Sequence, residues 1–471
     1  MTNIKSTRTE KDFLGEIKIP INSYCGSHTA RAHENFKISG LVSPSSFKKA
    51  LGIIKLAAVK TNASLKLIDN KKEKVIAQAC QEFIDGKFDN EFAVDIFQAG
   101  AGTNYNMNAN EIIANRANEL LGGRKGEYEH VHPNNHVNMS QSSNDITPAA
   151  ARLAILLTLP ALLKELEELE KVIGEKQKKY SKTLKVGRTH LQDAVPITVG
   201  QELDSYRQAL EKSREFIIQR SEDLKILGIG GTAVGTGITA DPNYKKTILE
   251  NLHKLTGIKF VKAKNATEMA NNMNSFLNLS AGLKSLAVNL LNISEDLKIM
   301  NMGPKTGINE ITLPSVQPGS SIMPGKVNPS ILECIDMIAV QVLGNDKTIE
   351  LSAQKSHFEL NVMCPIIMYN ILQSIEILTN GLKTLREKCV RNLEYNEKII
   401  KTLFENSLSG ATALVPYLGY ELTAEIVKSA LKKNIPVKEE LILRKLYNPQ
   451  EIEKILSVEA ITNPIKIKRT R

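Results

Sequence analysis

The sequence predicts an all-α fold built around a central bundle of long helices. Five long segments repeat apolar residues at helical spacing, with Lys and Glu on the opposite face. Each exceeds the usual length of a globular helix, about 11–12 residues, and helices this long pack as near-parallel bundles. Aromatic residues make up only 5% of the chain and tryptophan is absent, which favours cores of Leu, Ile and Ala over an aromatic-rich β-sandwich. The five segments cover residues 151–180, 201–227, 267–300, 330–351 and 365–390.

Three domains are predicted along the 471 residues. Residues 1–145 mix short helical patterns with loops rich in Gly, Asn and His, residues 146–392 hold the long helices, and residues 393–471 form a small helical domain. Two short helices are expected in this last domain, near residues 421–433 and 449–456. Several long helices carry apolar residues on more than one face, so we expect them to be buried against other subunits as well as within the chain.

Charge and cysteine content narrow the classes of function. The formal net charge is +10, and part of the excess lies in residues 465–471, but no nucleic-acid-binding motif accompanies it. The five cysteines are scattered, odd in number and without a C-x-x-C pair, which fits a reducing cytosol. No apolar targeting segment opens the chain, and no run approaches about 18 apolar residues. We therefore expect a cytoplasmic protein with no nucleic-acid partner and no membrane partner.

The stretch GSSIMPGKVNP, residues Gly319–Pro329, breaks the helical pattern with prolines and glycines, and we name it the serine loop. Asn328 followed by Pro329 is typical of an N-cap and a first helical turn, and a helix N-terminus favours anions. Lys326 beside it would bind a carboxylate well. Ser320 could serve as a base if N–H groups and a cation stabilised its alkoxide. For the Gly-Ser-Ser portion alone, a flexible linker with capping serines is the alternative.

Six further blocks stand in order along the chain, and together with the serine loop they resemble the aspartase/fumarase superfamily. Members of that family are lyases that eliminate a group from succinyl substrates to release fumarate. The resemblance extends over nearly the whole chain and implies the family's three-domain, all-α fold with a central bundle of long helices. The blocks are GAGTNYNMNANE (100–111), HVNMSQSSND (136–145), GRTHLQDAVPITVGQE (187–202), GGTAVGTG (230–237), GPKTGINEI (303–311) and FELNV (358–362).

The resemblance implies a catalytic role for the serine loop. Ser320 would be the general base that removes a proton from the carbon next to a carboxylate. The product of that step is an aci-carboxylate, which carries extra negative charge. Backbone N–H groups of Ser320 and Ser321, together with the side chains of Thr103, Ser142 and Ser143, would stabilise this charge.

The resemblance also implies partners for the rest of the substrate. The catalytic groups would be Ser320, His190 and Glu333, with Glu333 pairing with His190 and tuning the charge of its ring. Three residues would hold the second carboxylate, and two would contact the leaving group. These are Lys326, Asn328 and Thr189 for the carboxylate, and Asn144 and His190 for the leaving group.

Partners and cofactors follow from the same resemblance. It implies a small dicarboxylate substrate and a homotetramer whose active sites are each assembled from three subunits. The chemistry requires no cofactor, with activation by Mg²⁺ left open. His130, His132 and His136 could suggest a metal site, but they lack acidic or cysteine partners, so no metal site is predicted. GGTAVGTG resembles a dinucleotide loop, yet it follows a helix rather than a strand, which argues against nucleotide binding.

The leaving group is harder to predict, because the blocks are shared by both branches of the family. His28, Ala101, Val195, Asn309 and Met363 resemble the branch that releases ammonia from L-aspartate, and we expect that reaction. The alternative is a class II hydratase that releases water from L-malate. An inactive structural protein is a third hypothesis. The run Ser142-Ser143-Asn144 resembles the hydratase branch instead. Four residues depart from those usual in the family, namely Ile146, Met302, Lys305 and Cys364. The inactive protein is disfavoured because four expected site residues are intact, namely Ser320, Lys326, Asn328 and His190.

Overall fold

The computed structural model describes residues 6–464, and α-helix dominates them. The chain is 62% helical and only 8% strand, so the predicted all-α class is confirmed. The helices are α1 (Ser27–Asn35), α2 (Ser45–Ser64), α3 (Asn70–Ile84), α4 (Thr103–Leu120), α5 (Ser143–Lys179), α6 (Val199–Ser221), α7 (Tyr244–Thr256), α8 (Ala266–Asn271), α9 (Asn274–Met300), α10 (Ser330–Ala353), α11 (Cys364–Lys388), α12 (Glu397–Asn406), α13 (Val415–Leu418), α14 (Tyr420–Lys433), α15 (Val437–Leu443), α16 (Pro449–Ile455) and α17 (Val458–Thr462).

Short strands and short 3₁₀ and π helices account for the rest of the regular structure. Within residues 6–464 each sheet has two strands, and the pairs are antiparallel except the parallel pair β5–β6. The strands are β1 (Thr7–Asp12), β2 (Gly15–Pro20), β3 (Leu184–Thr189), β4 (Gln192–Thr198), β5 (Ile226–Leu227), β6 (Val261–Lys262), β7 (Ile311–Thr312), β8 (Ser356–His357), β9 (Leu360–Asn361) and β10 (Glu394–Tyr395).

The five predicted long segments correspond to α5, α6, α9, α10 and α11. The segment predicted as one helix over residues 267–300 is two helices, α8 and α9. Asn272 between them is extended, with φ −97° and ψ 125°, and its Oδ1 accepts a hydrogen bond from the Asn274 N–H at 2.8 Å. An asparagine that caps its own chain in this way competes with helix continuation, which explains the break.

The region before residue 145 is more helical than predicted. The sequence predicts only short helices there, but α2 is 20 residues long and α4 is 18. Most residues of α2 are buried, on all sides of the helix, and most of them are apolar or small. Its sequence therefore lacks the apolar and polar faces of an amphipathic surface helix. The two helices predicted near the C-terminus are confirmed as α14 and α16.

The chain divides into two compact units. The first unit comprises Met1–Leu163, Glu215–Ala287 and Val340–Leu378, and the second comprises Lys164–Arg214, Val288–Ala339 and Thr379–Arg471. The basic tail, residues 465–471, lies outside the described residues. The division into three domains at residues 145 and 392 stays a prediction.

The core of the first unit contains an aromatic cluster under α2. The rings of Phe47 and Tyr105 lie 5.1 Å apart, and those of Phe92 and Tyr105 lie 5.8 Å apart. Helices α2 and α3 approach closely at Gly52, where a Cβ would lie 2.7 Å from Cγ1 of Ile84. This packing fixes α2 against its neighbours, including α4, which carries one of the predicted site residues at its first position.

The second unit holds its helices together with apolar packing and partly buried ion pairs. Arg214 of α6 binds Glu170 of α5 through two hydrogen bonds of 2.9 and 3.1 Å. Ile335 and Ile338 of α10 pack over Gly381 of α11. A separate apolar cluster forms the small C-terminal helical region, with Leu414, Ile426, Ala430, Leu441 and Ile452 at its centre.

Among the described residues, one helix is long and apolar enough to cross a membrane by length and composition alone. It is α5, and 72% of its most apolar window is buried inside the protein. Burial of this extent is what the core helix of a helical bundle shows, so the finding is weak support for a membrane span.

Candidate active site

Two helix N-termini meet in the first unit. Thr103 is the first residue of α4 and Ser143 is the first residue of α5, and their hydroxyl oxygens lie 3.0 Å apart. The partial positive ends of two helices therefore lie at one place, and at α5 the Asn144 N–H already donates to Oγ of Ser142 at 3.3 Å. Such a junction suits an anion, and hydroxyl groups at the same place add donors of short reach.

The glycine-rich turn before α4 makes this meeting possible. Ala101 and Gly102 adopt left-handed conformations with φ of 59° and 72°. A Cβ on Gly102 would lie only 2.5 Å from Cγ2 of Thr147, so α4 and α5 approach here more closely than any other residue would allow. From the other side, the carbonyl of Val362 accepts a hydrogen bond from the Ala101 N–H at 2.8 Å. The block FELNV therefore supports the block GAGTN.

A buried carboxylate holds the start of α5 in place. Asp145 accepts hydrogen bonds from the backbone N–H groups of Ser142 at 2.9 Å, Gly230 at 2.9 Å and Thr232 at 3.0 Å. Burial raises the pKa of this carboxyl to about 6, against the opposing effect of the three N–H groups. The side-chain amide of Asn144 donates to the carbonyl of Ala233 at 2.8 Å. The glycine-rich block GGTAVGTG is thus a structural partner of Asn144 and Asp145 at the start of α5.

Thr189 and His190 lie at the tip of the hairpin β3–β4 in the second unit. Thr189 pairs with Gln192, so only His190 and Leu191 form the turn, and their φ values are 53° and 60°. Two left-handed residues define a type I′ turn, which usually contains Asn-Gly because other side chains are strained there. A histidine held in this conformation at an exposed tip indicates a functional constraint.

A buried ion-pair network holds strand β3 of this hairpin. Glu310 is fully buried, and its two oxygens lie 2.9 Å from Nη2 of Arg188 and 3.1 Å from Nζ of Lys185. Lys185 also donates to Glu202 at 2.6 Å. In a regular strand, residues three apart face opposite sides, but the register of β3 and β4 is irregular at Gly187, which increases the local twist. One carboxylate from the block GINEI therefore holds both basic residues of β3.

Two backbone N–H groups of the serine loop face the hydroxyl oxygen of Ser320. Its Oγ accepts hydrogen bonds from the backbone N–H groups of Ile322 at 3.2 Å and Met323 at 3.0 Å. Two N–H groups directed at one hydroxyl oxygen favour its alkoxide form over its neutral form. Ser320 is half-buried and borders a cavity of about 610 Å³ formed within residues 315–327.

Two hydrogen bonds close the neck of the loop. Gly319 N–H donates to the Lys326 carbonyl at 2.7 Å, and the Asn328 amide donates to the Gly319 carbonyl at 2.8 Å. A Cβ on Gly319 would lie 2.6 Å from the Asn328 nitrogen, so only glycine fits. The prediction of Asn328 as an N-cap is wrong, because α10 begins at Ser330 and the Asn328 side chain is used to close the loop.

The single chain brings together only part of the predicted set. Within the described residues, the Thr103 and Ser143 hydroxyls meet, and Ser142 and Asn144 lie beside them in sequence. Ser321, Lys326 and Glu333 are exposed, and no hydrogen bond or ion pair joins Glu333 to His190 within residues 6–464. The role assigned to each of these residues stays a prediction.

The described residues contain no group of three or more His, Cys, Asp or Glu side chains arranged to hold a metal ion. Two of the three histidines considered above, His132 and His136, are used locally instead. Nδ1 of His132 accepts N–H groups from Asn134 and Asn135, and Nδ1 of His136 accepts the N–H of His132 at 2.8 Å. These bonds occupy a ring nitrogen of each in fixing a single turn of π-helix, Pro133–Val137.

Sequence reasoning missed the residues that support the site. Asp145 and Glu310 lie inside two of the conserved-looking sequence blocks, but the sequence predicts no role for them, because burial cannot be inferred from a short polar segment. His28 also received no site role, and its Nε2 lies 3.0 Å from Oδ1 of Asn104, next to Thr103. The burial of Lys55 could have been predicted, since it is a lone lysine inside the apolar run LGIIKLAAV.

The fold and these loops define a helical lyase, and comparison with known proteins agrees. A family model described as lyase matches residues 15–344, and one described as the fumarase C C-terminus matches residues 411–463. The aspartate ammonia-lyase of Bacillus subtilis is 43% identical over 98% of this chain and 97% of its own length. A class II fumarate hydratase of Brucella suis is 42% identical over 98% of this chain and 99% of its own length.

A solved structure gives the same result for the fold. The cobalt-bound fumarate lyase:delta crystallin from Brucella melitensis superposes with a TM-score of 0.94 at 40% identity, covering 98% of this chain and 100% of that one. The chain therefore belongs to the aspartase/fumarase superfamily and is a lyase. Its relatives divide between ammonia-lyases and hydratases at nearly equal identity, so similarity does not select the leaving group.

Proposed function

We propose that the protein is an aspartate ammonia-lyase, which converts L-aspartate reversibly to fumarate and ammonia. The observation that carries the proposal is the pair of backbone N–H groups donating to Ser320 Oγ. A carbon acid next to a carboxylate is very weak, so its base must be strong and still be present as an anion at neutral pH. Preorganised N–H groups are a physical means of stabilising a serine alkoxide.

In this mechanism Ser320 takes the proton, and the electron pair moves into the adjacent carboxylate to give an aci-carboxylate. The convergence of α4 and α5 at Thr103 and Ser143 supports placing the extra charge there, because both helix N-termini and hydroxyl groups stabilise it. Ser142 and backbone N–H groups of Ser320 and Ser321 complete the proposed donors. Collapse of the intermediate expels the leaving group and forms the double bond of fumarate.

The remaining predicted residues bind the other parts of the substrate in this proposal. Lys326, Asn328 and Thr189 hold the second carboxylate, and Asn144 and His190 contact the leaving group. Glu333 of one subunit pairs with His190 of another subunit in this proposal. Within residues 6–464 of a single chain the two residues are not in contact.

A homotetramer with three-subunit active sites is therefore part of the proposal. Large apolar side chains exposed on α10 support it, because such a surface is normally covered. Met337 is 72% exposed and Val340 is 61% exposed. We further propose a cytoplasmic location without nucleic-acid or membrane partners, which the five free cysteines support. The mechanism uses no cofactor, and assay with and without Mg²⁺ tests for activation.

The choice of ammonia rests on flanking residues, including His28, Ala101 and Met363, that resemble the ammonia-releasing branch. A second candidate is class II fumarate hydratase. Ser143 favours it, because a serine at this position is the hydratase form of the block and its hydroxyl is directed to Thr103 in the site. The two candidates differ only in the leaving group, so one assay separates them.

The test is fumarate formation, followed by its ultraviolet absorbance, from L-aspartate and from L-malate with the same purified protein. Activity on aspartate alone is expected. Activity on malate alone would replace the proposal with the hydratase. Silence on both, with the tetramer intact, would overturn both candidates and direct attention to other amine-bearing succinates.

A further inference from the structure

A buried lysine lies beneath the hydroxyl cluster of the first unit. Lys55, on α2, is 1% exposed, which is rare for a lysine without a paired charge. Its Nζ donates to Oδ1 of Asn106 at 2.7 Å, to Oε1 of Gln141 at 2.9 Å and to Oδ1 of Asn138 at 3.4 Å. All three acceptors are neutral amides, so within residues 6–464 the ammonium has three hydrogen bonds and no ion pair.

The acceptors belong to the two segments that carry the predicted anion-binding hydroxyls. Asn106 lies on α4, three residues after Thr103. Gln141 lies two residues before Ser143. Lys55 therefore joins these segments at their base, just as the Thr103–Ser143 contact joins them at their tips.

Asn138 completes the connection. Its Oδ1 also accepts the side-chain amides of Asn106 at 3.0 Å and Asn110 at 3.1 Å. Asn138 Oδ1 thus accepts three hydrogen bonds, and the one from the ammonium is strengthened by its charge. Removing the ammonium would leave buried acceptors without a partner, which costs more than the lost hydrogen bonds alone.

The charge has few compensating groups. Burial lowers the pKa of Lys55 to about 7, and the acidic groups that act against this shift are the thiol of Cys80 on α3 and the carboxyl of Asp145 on α5. The lysine thus changes charge in the range where the protein would work. A protonated Lys55 supplies three donors and a positive charge below the site, whereas the neutral amine supplies fewer donors and no charge.

We propose that Lys55 is a positioning residue for the carboxylate site: its ammonium fixes α4 and the loop before α5, and it thereby orients Thr103 and Ser143 toward a bound dicarboxylate. This inference rests on the proposed function, since it assumes that these hydroxyls bind a carboxylate. It adds a residue and a pH dependence that the elimination chemistry does not require.

The test uses Lys55→Met, which keeps all but the terminal atom of the unbranched side chain and removes the charge, and Lys48→Met as its matched control. Lys48 lies on the same helix and is 9% exposed, but its ammonium pairs with Asp89 at 2.8 Å, and neither residue has a role in the proposed site. Binding of succinate to the tetramer is measured by calorimetry, because succinate cannot react and needs no assignment of the leaving group. We expect Lys55→Met to weaken succinate binding roughly tenfold or more, equivalent to about 1.4 kcal/mol, and Lys48→Met to leave it within about twofold.

The pH profile distinguishes positioning from a purely structural effect. In the wild type, succinate affinity should fall as pH rises through about 7, and this decrease should be absent in Lys55→Met. Gln141→Glu places a carboxylate beside the ammonium and should move the decrease to higher pH, which also tests the proposal if Lys55→Met fails to fold.

The outcomes separate this inference from the proposed function. If the wild type neither binds succinate nor forms fumarate, the proposed function is wrong and the role of Lys55 falls with it. If the wild type binds and reacts while Lys55→Met and Gln141→Glu keep its affinity and its pH profile, only the role of Lys55 is overturned.

Discussion

The hydroxyl of Thr103 lies 3.0 Å from the hydroxyl of Ser143, and this contact joins the first residue of α4 to the first residue of α5. The position of each N-terminus depends on residues beyond the helix's regular hydrogen bonds. The left-handed turn at Gly102 directs α4, and the Asp145 carboxylate fixes the start of α5. Part of the positive potential at this place comes from the two helix N-termini.

This contact predicts non-additive kinetics. Thr103→Val and Ser143→Ala should each lower kcat/KM for the working substrate roughly 10²-fold, because each removes a preorganised donor. The double variant should lose less than the product of the two effects, because the first substitution already disrupts the shared hydrogen bond. Steady-state rates of fumarate formation give all four corners of the cycle. Strictly multiplicative losses would show that the hydroxyls act independently.

Ser320→Ala should abolish elimination without changing the assembly. Loss of the base is expected to lower kcat roughly 10²–10⁴-fold, while size-exclusion chromatography shows an unchanged oligomer. Ser315→Ala is the matched control, since Ser315 is an exposed serine that borders the same cavity. Turnover near the wild-type level in Ser320→Ala would mean that another group removes the proton.

Glu310→Gln should weaken both the hairpin and catalysis. The substitution leaves Arg188 without a counter-charge and Lys185 with Glu202 alone, and breaking a buried pair of this kind costs about 3–5 kcal/mol. We expect a lower melting temperature and a higher KM, because Thr189 follows Arg188 directly. Glu222→Gln removes an exposed pair with Lys225 and should change stability by less than about 1 kcal/mol. Equal melting temperatures for the two variants would contradict the importance of the network.

The buried Asp145 predicts a pH dependence of stability. Its pKa is raised from 3.8 to about 6 in the folded protein, so between these values the folded state holds a proton that the unfolded state has lost. The free energy of unfolding of the wild type, relative to Asp145→Asn, should therefore fall as pH rises from about 4 to about 6 and then level off, by a few kcal/mol at most. Urea unfolding of both proteins across this range measures the difference. A difference that grows with pH would mean that the three N–H groups outweigh burial.

The hairpin turn predicts opposite effects of two neighbouring substitutions. Leu191→Gly should stabilise the protein by up to about 1 kcal/mol, because glycine adopts a φ of 60° without strain. It should keep activity, since Leu191 has no role in the mechanism. His190→Asn should keep the turn but lose activity. Melting temperatures and fumarate assays of both variants provide the test, and an unaltered rate in His190→Asn would remove His190 from the site.

Long helices such as α6 and α11 could be predicted because apolar residues recur at helical spacing over more than twenty positions. The hairpin β3–β4 could not be predicted this way, because strands of six and seven residues with mixed burial give little periodic signal. The family resemblance selected Ser320 and His190, but only the fold reveals the N–H groups that face Ser320 and the strained turn that holds His190. Lys55 and Glu310 were missed because their importance comes from burial, and neighbours distant in sequence create it.

The turn at His190 and Leu191 has a consequence for protein engineering. Variants selected only for heat resistance, without an activity screen, should acquire Gly or Asn at these two positions early, because those residues fit a type I′ turn better. Substitution at residue 190 would then exchange turnover for thermal resistance, whereas substitution at residue 191 would improve resistance alone. The two adjacent positions offer a direct internal measure of how much stability this fold gives up for its chemistry.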